Sequence, residues 1–257
     1  MATDHNDFIS QPKYVEIQPA FSRIIECVVT NLTHCFPDLI HSIYVYGSVA
    51  EGRAEEGRSD LDMTVIFKHE LDRATKEQFA TVQSVLEKNN PVISKIDFDC
   101  GLLGQVLDPN NVLSWGYWIK HHCHCVYGED LSHHFQAFKP SKAIAVAVNG
   151  DFMQVLDKLV IQIKTSSNEN KKLQLQRSAA RKLIRATNIL RSEQDNDWPD
   201  SLHEYRAKFN SRYPALAEDM DYLLEISIKP RSGITDFEKR VMAFAHWLSS
   251  EFNSQKA

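Results

Sequence analysis

The sequence predicts an α+β protein whose first half mixes strands with helices and whose second half is helical. Three observations support this prediction. Apolar residues recur at helical spacing over 15–35, two short apolar strands separated by a Gly-Ser break lie within 43–67, and long helical patterns dominate from residue 151 onward. With 257 residues, the chain is long enough for two domains that each bury a core. We predict an α/β domain of residues 1–140 and a helical domain of residues 141–257.

The elements of the first half follow from apolar runs and from the residues that interrupt them. Pro37 ends the first helix, since proline cannot continue a helix, and Pro91 ends another in the same way. Alternating or continuous apolar residues predict strands, and a period of 3.6 predicts helices. The predicted strands are 43–46, 60–67, 92–103 and 125–127, and the further predicted helices are 72–89 and 112–122.

Helical periodicity organises the second half. The predicted helices are 151–166, 169–192, 201–213, 215–227 and 235–253. Within 161–192 there are eight basic residues and one acidic residue. This basic segment is a candidate counter-charge for a triphosphate, and the alternative for any single base in it is a solvated helix face.

Charge and composition restrict the possible partners. The net charge is −5, and residues 1–150 hold 12 Lys and Arg against 19 Asp and Glu. An acidic half repels nucleic acid and suits metal ions or a cationic acceptor. There is no apolar run of membrane-spanning length and no signal-peptide pattern, so we expect a cytoplasmic protein without a membrane partner. The five unevenly spaced cysteines are interpreted as reduced thiols.

The most informative pattern is a Gly-Ser break followed, after a polar loop, by two aspartates on a strand. Gly47 permits a tight turn close to a ligand, and Ser48 lies near the start of a helix, where free N–H groups favour phosphate. Asp60 and Asp62 are two residues apart on a strand, so both project from one face. Carboxylates held this close repel each other unless a cation lies between them, and Mg²⁺ is the expected ion. Ser59 precedes the pair and can bond a carboxylate or a phosphate oxygen.

The third strand offers another carboxylate. Asp97 and Asp99 share one face of that strand, and either completes a cluster of three acids if the strand lies beside the second. Such a cluster can hold one or two Mg²⁺ ions and deprotonate an attacking hydroxyl. Strand parity does not choose between the two aspartates.

The order of these motifs resembles a known superfamily. Tyr46-Gly47-Ser48 followed by Ser59-Asp60-Leu61-Asp62 is similar to the signature of the polymerase-beta-type nucleotidyltransferases. Within them the chain most resembles the aminoglycoside adenylyltransferases of the streptomycin and spectinomycin type and their bacterial relatives. The resemblance implies a catalytic domain built on a mixed sheet with flanking helices, followed by a helical bundle.

The resemblance also implies a mechanism. ATP binds near Gly47 and Ser48, Asp60 and Asp62 hold Mg²⁺ on its phosphates, and Asp97, favoured over Asp99, activates an acceptor hydroxyl. The hydroxyl attacks the α-phosphorus and pyrophosphate leaves. The acceptor is a small hydroxylated and cationic molecule, such as an aminoglycoside, which implies a role in antibiotic resistance. Nucleotide-binding bases are expected from the helical domain: Arg177, Lys182 and Arg185.

Other interpretations remain open at this point. The protein is alternatively a nucleotidyltransferase that modifies a protein or an RNA, as toxin–antitoxin enzymes do, or a regulatory module that binds nucleotide without catalysis. The run of His and Cys at 121–125 raises the question of zinc, but it lacks the second separated ligand pair of structural zinc sites. We interpret it as surface histidines beside buried strand cysteines. The sequence does not determine the oligomeric state.

Overall fold

The structure is a computed structural model that describes residues 3–12, 15–231 and 234–255. The chain divides into two compact units, Ser10–Phe138 and a second unit made of Lys139–Ala257 with Met1–Ile9. The first unit mixes strands and helices and the second is helical, which confirms the predicted α+β class. The predicted limits of independent domains, 1–140 and 141–257, stay predictions.

The first unit alternates helices and strands over most of its length. In order, its elements are α1 (Pro19–Cys35), β1 (Ile40–Tyr46), α2 (Gly47–Ala50), β2 (Leu61–Phe67), α3 (Arg73–Asn89), β3 (Ile96–Leu102), α4 (Leu103–Val106), α5 (Tyr117–His122) and β4 (His124–Gly128). Short 3-10 turns at Pro109–Asn111 and Leu131–His134 and a π turn at Val112–Gly116 connect the later elements.

The four strands form one mixed sheet in the order β3-β2-β1-β4. Strand β2 runs parallel to β3, while β1 is antiparallel to both β2 and β4. The parallel pair requires a crossover, and helix α3 supplies it. Asp72 caps this helix, because its carboxylate accepts a hydrogen bond from the Thr75 backbone N–H at 2.7 Å.

Alternation along the strands separates the two faces of the sheet. On one face, Leu61, Met63 and Val65 of β2 pack in a core with residues of α1 and α3. The other face carries Asp62, Thr64 and Ile66, and Ile66 packs in a smaller cluster with residues of β1 and α5. Helices therefore cover the first face, and the polar residues of β2 belong to the second.

The structure corrects several predicted element limits. Helix α1 begins at Pro19 rather than at residue 15, because proline fits the first turn, where its missing N–H costs nothing. Strand β3 begins at Ile96 rather than at residue 92, since residues 91–95 form a turn. The predicted helix 112–122 is a π turn followed by the shorter helix α5.

The second unit is built from helices around a single apolar cluster. Its helices are α6 (Lys142–Asn149), α7 (Phe152–Thr165), α8 (Glu169–Ala186), α9 (Leu202–Arg212), α10 (Ala217–Ile228) and α11 (Ile234–Ser254). Helix α6 was not predicted from the sequence, and Ser141 caps it by accepting a hydrogen bond from the Ile144 N–H at 3.2 Å. Helix α8 ends at Ala186 rather than at residue 192 and continues as a 3-10 turn. In the described part of the chain, the helices are too short or too polar to cross a membrane.

Candidate active site

The Gly-Ser break after β1 forms a tight turn against Asp62 of β2. Gly47 directly follows β1 with φ of 70°, a conformation that L side chains rarely adopt. Tyr46 pairs with Asp62 across the two strands, so the turn lies beside the Asp62 carboxylate. A Cβ on Gly47 would overlap the Asp62 carboxylate oxygen Oδ2. Ser48 is half-buried in α2, which begins at Gly47 as the sequence predicts.

Strand register decides which of the two aspartates on β3 lies beside Asp62. In the parallel pair of β2 and β3, Asp62 is the partner of Asp97, and Thr64 is the partner of Asp99. Asp97 therefore lies next to Asp62, and Asp99 lies one step further along the strand, at a Cα separation of about 7 Å from Asp97. The arrangement brings Asp60, Asp62 and Asp97 together at one end of β2 and β3.

The carboxylates of this group repel each other. Burial, followed by the charges of Asp97 and Asp60, raises the pKa of Asp62 to about 7. A positive ion next to Asp62 would relieve this repulsion. Carboxylate oxygens are hard ligands of the kind that Mg²⁺ prefers, so the chemistry of the group fits that ion.

Lys95 is a residue of this site that the sequence analysis missed. Its ammonium Nζ lies 2.5 Å from Asp97 Oδ2 and 3.5 Å from Asp60 Oδ2. Burial alone would lower the pKa of Lys95, but its hydrogen bond to Asp97 and the surrounding carboxylates raise it above its ordinary value. Strand parity contained the signal, because Lys95 lies two residues before Asp97 and an extended chain puts both on one face.

The Lys95 ammonium also affects how the aspartates are arranged to bind a metal ion. Within 3–12, 15–231 and 234–255, no group of three or more His, Cys, Asp or Glu side chains is arranged to hold a metal ion. Asp60 and Asp97 instead contact Lys95, and the Ser94 hydroxyl donates to Asp60 Oδ1. That Asp60, Asp62 and Asp97 bind Mg²⁺ stays a prediction.

Ser59 makes local hydrogen bonds besides the contacts predicted for it. Its hydroxyl accepts a hydrogen bond from the Glu55 backbone N–H at 2.9 Å, and its carbonyl accepts from the Ser94 N–H at 3.0 Å. These bonds fold the polar loop onto the segment before β3. Ser59 therefore holds the position of Asp60, and its predicted contact with phosphate stays a prediction.

Asp99 lies beside Tyr46, whose ring packs against that of Trp118. The Tyr46 hydroxyl donates to Asp99 Oδ2 at 2.6 Å, and burial together with the Asp99 charge raises the pKa of Tyr46. The Trp118 ring meets Tyr46 edge-on at 4.8 Å, and its indole N–H donates to Thr64 Oγ1 at 3.1 Å. Asp99 itself remains exposed. In the described part of the chain, no basic side chain forms an ion pair with it.

The predicted nucleotide-binding bases lie on α8, in the second unit. Arg177 Nη2 donates to the Ile228 carbonyl at 3.3 Å. Lys182 Nζ lies 2.7 Å from Asp151 Oδ1, and Arg185 is exposed. The contacts of Arg177 and Lys182 lie within the helical unit, and a role of the three bases in nucleotide binding stays a prediction.

The histidine and cysteine run does not form the surface that the sequence analysis expected. His121 is 5% exposed, and its ring bonds the Ser10 carbonyl and the Phe138 N–H. Cys123 is buried, and burial raises the pKa of its thiol. The interpretation of surface histidines is therefore wrong for His121, which fastens two backbone segments of the first unit.

Comparison with known proteins identifies the first unit. Residues 23–103 match the family model of the nucleotidyltransferase domain. The chain carries a nucleotidyltransferase domain. The match spans β1 to β3 and includes Gly47, Ser48, Asp60, Asp62 and Asp97. The match confirms, for residues 23–103, the resemblance to nucleotidyltransferases that was stated from the sequence.

A solved structure extends the likeness of this nucleotidyltransferase over both units. It is the crystal structure of spectinomycin adenyltransferase AAD(9) from Enterococcus faecialis with ATP and spectinomycin. It matches with a TM-score of 0.62 and 12% sequence identity, covering 90% of this chain and 99% of that chain. At that identity the match shows a shared fold. By sequence, no curated protein matches the chain.

Proposed function

We propose that this nucleotidyltransferase transfers AMP from ATP to a hydroxyl of a small cationic molecule, with Mg²⁺ as cofactor and pyrophosphate as the second product. The observation that carries the proposal is the strand register, which puts Asp97 beside Asp62, whose carboxylate in turn lies against the Gly47 turn. An acid able to accept a proton thus lies beside Asp62, between the third strand and the turn proposed to receive the phosphates.

Each residue of the site has a part in this reaction. Asp60 and Asp62 would hold Mg²⁺, which when bound would neutralise phosphate charge. The Gly47-Ser48 turn receives the triphosphate. Asp97 accepts the proton of the acceptor hydroxyl, whose oxygen bonds to the α-phosphorus of ATP. The bond from that phosphorus to the bridging oxygen of the β-phosphate breaks, and pyrophosphate leaves. Positioning and charge neutralisation supply most of the catalysis.

A cationic acceptor is supported by Asp99. This exposed carboxylate lies two residues beyond Asp97 on the same strand face, where its Oδ2 accepts a hydrogen bond from the Tyr46 hydroxyl. An amine placed there would lie within reach of a hydroxyl that contacts Asp97. The AAD(9) structure of the same fold contains ATP and spectinomycin, so an aminoglycoside-type acceptor and a role in antibiotic resistance belong to the proposal. We also propose that the protein acts in the cytoplasm, where ATP is available.

The test is pyrophosphate release by the purified protein with ATP, Mg²⁺ and a panel of aminoglycosides. We expect release that depends on one of the drugs and is lost in Asp60→Ala. The matched control is Glu70→Ala, which removes an exposed acid of the same unit outside the site.

The other outcomes separate the parts of the proposal. Mg²⁺-dependent ATP binding without release for any drug would exclude the antibiotic acceptor and move the search to protein, RNA or metabolite acceptors. If ATP does not bind in the presence of Mg²⁺, the proposed donor and cofactor are both wrong.

Replacing Asp99 tests the charge of the acceptor. We expect Asp99→Asn to raise KM for an amine-bearing acceptor by about 10- to 100-fold, the equivalent of one charge-assisted hydrogen bond. The kcat should change little, because Asp97 is retained. Steady-state kinetics with a cationic acceptor measure the effect. An equal loss in kcat, or an unchanged KM, would show that Asp99 does not bind the amine.

A further inference from the structure

The segment before β3 holds Lys95 in a fixed place beside the acids. The Leu61 N–H donates to the Lys95 carbonyl at 2.9 Å, and the Ser94 N–H donates to the Ser59 carbonyl at 3.0 Å. The Ser94 side chain also donates to Asp60. Hydrogen bonds of the backbone and of the Ser94 side chain therefore hold Ser94 and Lys95 against the segment that carries Asp60.

The Lys95 side chain reaches inward rather than into solvent. It is 28% exposed, and its ammonium lies between carboxylate oxygens of Asp60, at 3.5 Å, and Asp97, at 2.5 Å. Withdrawing an ammonium from water is costly unless charged partners and hydrogen bonds replace the lost solvent. The two aspartates are those partners, so Lys95 is part of the acidic site and not a lysine on the solvated surface.

We propose that the Lys95 ammonium takes the position of a second metal ion between Asp60 and Asp97, so that the site binds a single Mg²⁺ with the nucleotide. The inference rests on the proposed function, since it concerns the cofactor of that same site. The single ion would be held by Asp60 and Asp62, and the Asp62 carboxylate lies against the turn at Gly47.

Contacts in the site support one ion. The Lys95 ammonium offsets one of the three negative charges that Asp60, Asp62 and Asp97 carry when ionised, at the place between Asp60 and Asp97 where a second cation would otherwise lie. Mg²⁺ binds carboxylate oxygens at about 2.0–2.1 Å and keeps several waters. An ammonium in contact with Asp97 Oδ2 leaves no room for such a hydrated ion against the same oxygen.

Lys95 is a positioning residue in this scheme, because it contacts Asp60 and Asp97 and acts through them. Its N–H groups orient the Asp97 carboxylate, and its charge replaces that of an ion that would otherwise bridge Asp60 and Asp97. The number of bound metal ions is therefore the decisive readout, since a residue with a merely structural role would not change it.

The experiment counts Mn²⁺ ions, used in place of Mg²⁺, that bind with a non-hydrolysable ATP analogue. Electron paramagnetic resonance of free Mn²⁺ gives the number per chain. We expect one tight ion for the wild-type protein, two for Lys95→Met, which keeps the side-chain length without the charge, and one for Lys95→Arg. Lys88→Met is the matched control, because Lys88 is exposed near the end of α3.

Each outcome decides a separate point. Two tight ions on the wild-type protein would overturn the inference and leave the proposed function standing. One ion on a folded Lys95→Met variant would overturn it as well. If neither protein binds Mn²⁺ with the nucleotide, the proposed function itself fails. Circular dichroism checks the fold of Lys95→Met, and the wild-type count still decides if that variant does not fold.

Discussion

Asp62→Asn is expected to lower turnover by about a thousandfold or more while the fold is retained. Loss of one preorganised electrostatic contact at a reacting centre commonly costs about 10²–10³ in kcat. The Asp62 carboxylate is in addition a proposed ligand of the ion that neutralises the phosphates. The asparagine amide keeps the size of the side chain but lacks the charge that Mg²⁺ requires.

The Asp62→Asn variant should be more stable than the wild-type protein, even though its turnover is lower. Burial and the charges of Asp97 and Asp60 raise the pKa of Asp62 to about 7. Because this pKa is above the ordinary value of 3.8, the cost of ionising Asp62 in the folded protein grows as the pH rises from about 4 to about 7 and stays constant above that range. Removing the charge should therefore raise the free energy of unfolding at pH 8, by about 1 kcal/mol.

Two measurements check the prediction for Asp62→Asn. Pyrophosphate release gives turnover, and thermal unfolding at pH 8 without metal gives stability. Asp38→Asn is the control, since it makes the same change at an exposed acid of the first unit. A variant that retains full turnover would remove Asp62 from the site, and one that is much less stable than the wild type would mean that its inactivity reflects misfolding.

The sequence was sufficient for the local part of the site. Gly47 could be predicted to form a turn because glycine tolerates positive φ, and Asp60 and Asp62 could be placed on one face because strand alternation is local. These predictions depend only on neighbours along the chain. The same holds for most helices, whose apolar period predicts their existence, while capping residues such as Ser141 set their ends.

The choice between Asp97 and Asp99 required the structure. Both lie on one face of β3, so parity allows either, and only the pairing of β3 with Asp62 and Thr64 of β2 distinguishes them. That register is a long-range property, set when two strands far apart in sequence pack against a common core. The resemblance to a family pointed to Asp97, and the register places it beside Asp62.

Strand parity could place Lys95 on the face of Asp97, but the role of Lys95 also depends on Asp60, a partner that only the fold brings near. One lysine before a strand is ordinary, and its contact with Asp60 spans 35 positions of sequence. The bases on α8 also depend on tertiary partners that the sequence does not show. Arg177 bonds the Ile228 carbonyl and Lys182 contacts Asp151, both within the helical unit, and their predicted role in nucleotide binding stays a prediction.

Gly47→Ala is expected to lower kcat/KM for ATP by about 100-fold or more. The new methyl group would overlap Asp62 Oδ2, and Asp62 must then rotate away from the position in which it faces Asp97. The substitution also forces a non-glycine residue to φ of 70°, at a cost of about 1–3 kcal/mol. The first effect disturbs the proposed metal ligand and the second lowers stability.

Gly57→Ala separates these two effects. Gly57 has the same φ of 70°, but the nearest atom to an added Cβ is the Pro91 carbonyl oxygen at 3.8 Å, which is ordinary contact. Both alanine variants should therefore lose stability to a similar extent in thermal unfolding, whereas only Gly47→Ala should lose Mg²⁺-dependent ATP binding by calorimetry. Equal loss of ATP binding in both variants would mean that backbone strain in the loop, and not the displacement of Asp62, limits the site. Retention of ATP binding by Gly47→Ala would show that the turn does not receive the triphosphate.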